Sequence, residues 1–202
     1  DFGNRTVMLA VNDANEIVGI AIDTATQESR ALLWDADGAV HDLPVPDGWS
    51  SAALDINDHG VAAGVIENLV ANDDHAIPVI WTADGMVELP LDGAHGGIAY
   101  AINNEGTVLG AIDIDGEGDL WPARWIAGNL VEMPPPQGFP FVQLADINDD
   151  GLMVGYAGTG PLDITALTCR RDHYEWLPDF ATTGGESAAW ATNHDGATAR
   201  YS

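Results

Sequence analysis

Alternating carboxylates near a glycine are the residues of this sequence that could hold a cation. Asp146, Asn148 and Asp150 precede Gly151 in the D-x-N-x-D-G spacing that opens a calcium-binding loop. Oxygen ligands of this kind suit calcium, but the twelfth position counted from Asp146 is Ala157, where a bidentate glutamate is expected. A hairpin turn with solvated carboxylates accounts for the same residues, so we predict no metal site, although the sequence alone leaves calcium open. A looser match comprises Asp113, Asp115 and Glu117.

The histidines, the cysteine and the serines form no catalytic or zinc-binding pattern. The six histidines fall mostly in predicted turns and loops, without a His-x-His or His-x-x-x-His pair. Cys169 stands where related segments of the chain have Trp, which indicates a small core residue, and no Gly-x-Ser-x-Gly elbow is present. We therefore predict a non-catalytic protein without metal or other cofactor. The histidines are His41, His59, His75, His95, His173 and His194.

An enzyme, either a lyase or a hydrolase, is a third possibility that rests on one segment. Around Asp163 and from Arg170 to His173 the chain carries polar residues that its related segments lack. A single polar set of this kind is what such an active site would need. Paired carboxylates for glycoside hydrolysis carry no information here, because 32 acidic residues make some suitable pair inevitable.

The seven tryptophans fall into two groups. Trp34, Trp81 and Trp125 recur at regular places and are predicted to be core residues. The other four are less regular, and the core interpretation is favoured for them as well. An exposed Trp beside Asp or Asn is what a sugar-binding surface uses, by stacking and hydrogen bonding, so a lectin-like module is the alternative function. These four are Trp49, Trp121, Trp176 and Trp190.

The charge balance excludes whole classes of partner. The 202 residues include 32 Asp and Glu against 6 Arg and no Lys, which gives a net charge of -26 at pH 7. Nucleic acid and anionic membrane surfaces need clustered cations that this chain lacks. A cation-rich or salty extracellular setting would screen the self-repulsion. A start at Asp1 is expected of a secreted protein whose leader has been removed, and equally of a fragment of a longer chain.

The elements that must position all these residues are repeats of about 45 residues. An Asn followed by a turn recurs five times at spacings of 45, 46, 45 and 45 residues. A Gly seven residues later, a strand ending in Trp or Cys169, and a Leu-Pro or Met-Pro pair keep the same period. The asparagines are Asn12, Asn57, Asn103, Asn148 and Asn193.

Each repeat is predicted to form four short strands in an all-β fold. Turn signals recur about every ten residues, and no segment has sustained helical periodicity. Four strands in about 45 residues are typical of a β-propeller blade, with a β-solenoid as the alternative. We predict one repeat domain over 1–202, with repeats at 6–49, 50–95, 96–140 and 141–185 and a half repeat at 186–202.

The repeat motif resembles that of the HAF family of bacterial extracellular repeat proteins. The resemblance rests on Ala-x-x-Ile-Asn-x-x-Gly-x-Val-x-Gly, then a loop, Ala-x-x-Trp, a Gly turn and Leu-Pro, and it covers nearly the whole chain. It implies secretion or surface display and a propeller-like fold, and it implies no enzymatic activity. Copy four departs from the pattern at Cys169 and in the turn 171–173.

The half repeat leaves the number of blades open at four or five and suggests a function. A surplus hairpin could pair with a strand edge of another molecule, because an exposed sheet edge is a template for pairing and a head-to-tail contact need not close. We therefore predict an extracellular structural or interaction protein. It would self-associate into an oligomer, filament or surface layer through its terminal hairpins, with an extracellular glycan as the alternative partner.

Overall fold

A computed structural model describes residues 5–68, 75–160, 163–177, 187–193 and 196–201, and within these ranges the chain is all-β with no helix. Strand-forming β-branched and aromatic residues alternate with Gly and Asn turns, as the sequence predicts. The strands are β1 (Arg5–Val11), β2 (Ile17–Ile22), β3 (Ser29–Trp34), β4 (Val40–Asp42), β5 (Ser50–Ile56), β6 (Ala62–Glu67), β7 (Ala76–Thr82), β8 (Gly85–Glu88), β9 (Gly96–Ile102), β10 (Val108–Asp113), β11 (Leu120–Ile126), β12 (Asn129–Glu132), β13 (Phe141–Ile147), β14 (Met153–Gly160), β15 (Asp163–Arg170), β16 (His173–Trp176), β17 (Ala188–Thr192) and β18 (Thr198–Tyr201).

The strands form four four-stranded antiparallel sheets and one two-stranded sheet. Sheet 1 is β1–β4, sheet 2 is β5–β8, sheet 3 is β9–β12 and sheet 4 is β13–β16, each with its strands in chain order, and β17–β18 form the terminal hairpin. Successive sheets pack face to face, and their first strands contact one another. The predicted propeller-like fold of four repeats and a half repeat is confirmed.

The recurrent glycine is required by a β-bulge in the first strand of each repeat. In sheet 2 the register between β5 and β6 shifts between Ala53 and Asp55. The shift brings the carbonyl oxygen of Ala52 within 2.0 Å of where a Cβ on Gly64 would lie. Only glycine fits beside that carbonyl, which explains the fixed distance from the turn asparagine. The equivalent glycines, with a backbone carbonyl equally close, are Gly19, Gly110 and Gly155.

The Trp and Leu-Pro landmarks meet at the junctions between sheets. The indole Nε1 of Trp81 donates to the carbonyl oxygen of Pro44 in the preceding sheet at 2.8 Å, and Trp125 does the same to Pro90 at 2.8 Å. Both indole rings are buried in the apolar layers between sheets. Cys169 occupies the corresponding place in sheet 4 and is fully buried among its apolar neighbours.

The less regular tryptophans differ from the prediction. Trp49 is half-buried against the layer between sheets 1 and 2. Trp121, Trp176 and Trp190 are 36%, 42% and 45% exposed, so the core interpretation is wrong for these three. Each lies on the first, third or fourth strand of its sheet, outside the apolar layers between sheets that the regularly spaced tryptophans fill. Within the described ranges, no helix with the length and hydropathy to cross a bilayer is found.

Candidate functional site

The turn asparagines form a hydrogen-bonded ladder from one repeat to the next. The side-chain amide of Asn12 donates to the carbonyl of Asn57 at 3.0 Å, and Asn57 donates to Asn103 at 3.0 Å. Asn103 in turn donates to Asn148 at 3.0 Å, and Asn148 to Asn193 at 3.1 Å. The first four side chains are buried, so the ladder satisfies polar groups that water does not reach.

The same asparagines also cap their own turns. The Oδ1 of Asn103 accepts the backbone N–H of Thr107 at 2.8 Å. The positive φ values of the turns belong to the residue three positions on, which is Asn15 in the first turn and a glycine in the others, as at Gly106, where φ is 75°. Each asparagine therefore needs both an acceptor and a donor in its side chain. In the sequence, the exact spacing of the asparagines is the one signal that could have indicated this double role.

Beside the ladder, the turns of four sheets line a small acidic depression of about 190 Å³. Asp55 lies within it and accepts the backbone N–H of Ile102 at 2.7 Å. Burial, with a smaller contribution from the charge of Asp146, raises the pKa of Asp55 to about 6, against the effect of the backbone hydrogen bonds. The depression thus holds a carboxyl group that titrates near neutral pH.

The two sets of carboxylates considered for calcium accept backbone N–H groups. Asp146 accepts from the backbone N–H of Thr192 in the next repeat at 2.7 Å. Asn148 belongs to the ladder, and the carbonyl of Asp150 accepts from the Arg170 guanidinium at 2.8 Å. The second set caps its own loop: Asp113 accepts from Gly116 and Gly118, and Asp115 accepts from Glu117. No group of three or more His, Cys, Asp or Glu suited to a metal is found in the described part of the chain.

The polar residues of the fourth repeat do not come together as one site. Asp163 accepts a hydrogen bond from Thr159. Asp172 forms an ion pair with Arg124 of sheet 3 at 3.0 Å, whereas His173 lies 3.7 Å from Glu175. The first contact joins β14 to β15 and the second joins sheet 3 to sheet 4, whereas His173 and Glu175 are exposed on the same strand, β16. Burial, with a smaller contribution from Asp172, raises the pKa of Cys169 to about 11, so its thiol stays neutral.

The histidines lie at separate places on the surface. The Nε2 of His41 is 2.8 Å from a carboxylate oxygen of Asp35, and this contact is the main cause that holds the pKa of Asp35 below its usual value. His75 and His95 stack with ring centroids 6.1 Å apart. His59 is exposed in its turn. His194 lies outside the described residues, as does the segment 178–186.

A cleft of about 520 Å³ lies between sheets 3 and 4, at the end of the strands opposite the asparagine turns. Its apolar side includes Tyr100 of β9, Trp121 of β11 and Phe141 of β13. Trp121 and Phe141 are 36% and 37% exposed. This volume and this mainly apolar lining are typical of small-molecule sites.

Polar groups face the same cleft. Gln143, Asp119 and Thr159 line it. The hydroxyl of Tyr156 donates to Oε1 of Gln143 at 2.5 Å, which fixes the amide and leaves its two N–H donors available. Asp119 is exposed, and its carboxylate can accept hydrogen bonds. The cleft therefore combines aromatic faces with donors and acceptors.

Two other junctions contain a hydrogen bond that the junction between sheets 3 and 4 lacks. Between sheets 1 and 2, the hydroxyl of Ser51 accepts the backbone N–H of Ala31 at 2.8 Å. Between sheet 4 and the terminal hairpin, Ser187 accepts from Ala166 at 3.0 Å. We call this contact the serine bridge. The cavity at the first of these junctions, lined by Ser29, Ser50 and Ser51, is only about 90 Å³.

At the cleft, other residues stand in the place of both partners of the serine bridge. Pro122 stands in the place of Ala31 and has no N–H, and Val142 stands in the place of Ser51 and has no hydroxyl. Between sheets 2 and 3 the corresponding pair is Gly96-Gly97, and a Cβ on Gly96 would lie 3.2 Å from the carbonyl oxygen of Ala76 in sheet 2. Neither the hydrogen bond nor the glycine close approach is therefore available between sheets 3 and 4.

The sequence-based glycan alternative expects equivalent Trp-lined pockets between all blades. A Trp-lined pocket with acid and amide groups is present, but the pockets differ in size between junctions. The difference comes from residues 141–142, which are Phe and Val where the first junction has two serines and the second has two glycines. The Phe-Val pair can be seen when the repeats are aligned. Its effect on the cavity depends on which strands face each other across a junction.

No protein-family model and no curated protein matches the chain. Among solved structures, the chain is similar to a mutant of AofleA from Arthrobotrys oligospora, with a TM-score of 0.50 and 13% sequence identity. The match covers 96% of this chain and 63% of the AofleA chain, so this chain spans less than two thirds of that protein. At this identity the likeness concerns the fold alone.

Proposed function

We propose that this protein is a glycan-binding module and that the cleft between sheets 3 and 4 holds a saccharide unit. The observation that carries the proposal is the meeting of Trp121, Phe141 and Tyr100 with Gln143 and Asp119 in one cavity. A sugar ring presents an apolar face, which stacks on aromatic side chains, and hydroxyl groups around its rim, which bond to amides and carboxylates.

The electrostatics favour a neutral glycan over an anionic one. The chain carries a net charge of -26, and Asp119 lies in the cleft itself. A phosphate, a sulfate or a sialic acid would approach against this field. Neutral hexose or deoxyhexose units bring no such charge, and their hydroxyl groups suit both Asp119 as acceptor and Gln143 as donor.

Truncation of Trp121 tests the proposal. We expect the wild-type protein to bind members of an array of neutral glycans, and we expect Trp121→Ala to weaken that binding at least about fivefold, since an aromatic stacking face contributes about 1 kcal/mol or more. Trp176→Ala is the matched control, because Trp176 is 42% exposed but does not line the cleft. Absence of glycan binding, or equal effects of the two substitutions, would contradict the proposal.

The proposal has three further parts: the protein is not catalytic, it is extracellular, and it belongs to the HAF family. The family and the location are supported by the repeat motif, and the absence of catalysis by the sequence patterns and by the separation of Asp163, Asp172 and His173. Assay of the purified protein against the glycans that it binds tests for cleavage.

Self-association is the second candidate function. The open face of sheet 1 favours it, because Met8 and Val11 are exposed there. This function does not use the cleft between sheets 3 and 4, since the terminal hairpin packs on sheet 4 through β13, β14 and β15. A filament or a surface layer would be its product.

A further inference from the structure

Sheet 4 carries a polar pair of side chains where the other three four-stranded sheets have an apolar pair. Gln143 of β13 lies directly opposite Tyr156 of β14 in the antiparallel ladder, so both side chains are on the same face of the sheet. The fold does not need polar groups at this place, because the corresponding pairs of the other sheets are apolar. The exception occurs in a sheet that borders the cleft. The apolar pairs are Val7–Ile20, Ala52–Val65 and Ile98–Ala111.

The ring of Tyr156 is held by its packing. Tyr156 is buried, its ring centroid lies 6.1 Å from that of Phe141, and it belongs to a buried cluster with Ile164. A ring packed in this way leaves its hydroxyl little freedom to move. The hydroxyl donates to Oε1 of Gln143 at 2.5 Å, so the amide is oriented by a fixed group.

The fixed amide of Gln143 offers a ligand donors rather than an acceptor. Because Oε1 accepts from Tyr156, the end of the amide that is left for a ligand in the cleft is the NH₂ group, which only donates. A sugar hydroxyl can meet either end of an amide, so hydroxyl groups alone are not selected by this arrangement. A carbonyl oxygen only accepts, and it therefore fits the NH₂ end and no other.

The cleft also has an apolar wall. Val142 and Leu144, the chain neighbours of Gln143, line it and are 7% and 1% exposed, and Pro122 lines it from sheet 3. A methyl group that packs on such side chains leaves water for an apolar surface, which favours binding. A ligand group that joins a carbonyl oxygen to a methyl group therefore suits both the donors and the wall.

Two further polar side chains line the cleft. Burial, and to a smaller extent the nearby Tyr156, raises the pKa of Tyr100 above its usual value, so its hydroxyl stays protonated and can donate. The exposed carboxylate of Asp119 can accept an N–H or an O–H. The cleft thus has partners for an amide group as well as for the hydroxyl groups of a sugar ring.

We propose that the cleft selects N-acetylhexosamines over the parent hexoses, with Gln143 donating to the acetamido carbonyl and Tyr156 as the positioning residue. The acetamido methyl group packs on Val142 and Leu144, and its N–H is given to Asp119. Tyr156 does not line the cleft and acts through Gln143 alone. This selectivity rests on the glycan-binding function proposed above. The ligand is neutral, so the negative charge of the protein does not oppose it.

An array of paired neutral glycans tests the selectivity. The members of each pair differ in one sugar, which is N-acetylglucosamine or glucose, or N-acetylgalactosamine or galactose. We expect the wild-type protein to bind the acetamido member at least about fivefold more tightly in at least one kind of pair, since a hydrogen bond and a buried methyl group separate the members. Gln143→Leu should abolish this preference. Tyr156→Phe should lower it at least about twofold, because the freed amide can turn either end to the ligand.

Tyr174→Phe is the matched control for the loss of a phenol hydroxyl. Tyr174 belongs to the same sheet but does not line the cleft, and its buried hydroxyl has no hydrogen-bond partner in the described part of the chain. The ratio of affinities should therefore stay at the wild-type value. Val7 and Ile98 at the place of Gln143 in other sheets indicate that Gln143→Leu is compatible with the fold, and thermal melts establish this for each variant.

The outcomes separate the selectivity from the function on which it rests. Equal binding of paired glycans by the wild-type protein would overturn the selectivity and leave glycan binding in place. A preference that survives Gln143→Leu, or one that Tyr156→Phe lowers no more than Tyr174→Phe does, would overturn the roles of these two residues. Absence of binding to every member of the array would overturn the selectivity together with the proposed function.

Discussion

At the scale of single residues, Asp55 is a carboxyl group whose position in the fold opposes its ionisation. It lies in the acidic depression formed by the turns, with Asp146 nearby, and burial is the main cause that raises its pKa to about 6. Its hydrogen bond from the backbone N–H of Ile102 keeps it in place. The fold therefore tolerates one ionised carboxylate that would be more stable in water.

Asp55→Asn should stabilise the protein above pH 6 and lose this effect in acid. The folded-state pKa of about 6 lies above the usual value of 3.8, so ionisation favours the unfolded state as the pH rises through this range, and protonation removes the penalty below about pH 4. We expect a gain on the order of 2 kcal/mol at pH 8. Asp47→Asn, on an exposed loop residue, removes the same charge as a control. Denaturant unfolding at pH 8 and pH 4 measures the difference, and equal effects of Asp55→Asn at both values would contradict the assignment.

At the scale of elements, the ladder joins each hairpin to the next. Asn103 donates to the carbonyl of Asn148 at 3.0 Å and accepts from Thr107 at 2.8 Å. Because the side chain is buried, its removal leaves the N–H of Thr107 without its partner, whereas the carbonyl of Asn148 still accepts the N–H of Gly151. The ladder is thus both a turn cap and a link between repeats.

Asn103→Ala should lower the free energy of unfolding by about 1–3 kcal/mol, since it leaves the backbone N–H of Thr107 without its acceptor and removes one link between repeats. Asn129→Ala is the control, because the amide of Asn129 donates only to carbonyls of its own exposed turn. Equilibrium unfolding in urea compares the two variants. Equal small losses would mean that the ladder contributes little to stability.

The period of the landmarks was enough to predict the elements but not the contacts between them. The spacing of Asn57 and Asn103 and the alternation of strands and turns indicated four-stranded repeats, because these features depend on local geometry. The amide bond between those two asparagines joins residues 46 positions apart and could be recognised only once the sheets were stacked. The exposure of Trp121 was likewise missed, because the sequence does not tell which strands face each other across a junction.

At the scale of the whole molecule, the protein is a row of similar sheets that differ mainly at their junctions. Serine hydroxyls close the first and the last junction, and glycines allow close approach at the second. Phe141 and Val142 stand at the third, opposite Pro122, and there the cleft opens. A change at one junction can therefore create a binding site while the neighbouring sheets preserve the fold.

Rebuilding the serine bridge tests this account most directly. The triple variant Pro122→Ala, Phe141→Ser and Val142→Ser restores at the third junction the N–H and hydroxyl groups that close the first one. Glycan binding and thermal stability would be measured on the same preparation. We predict that the variant folds with a cooperative melt and loses detectable glycan binding. Binding that persists at wild-type affinity in the folded variant would contradict the assignment of the cleft as the glycan site.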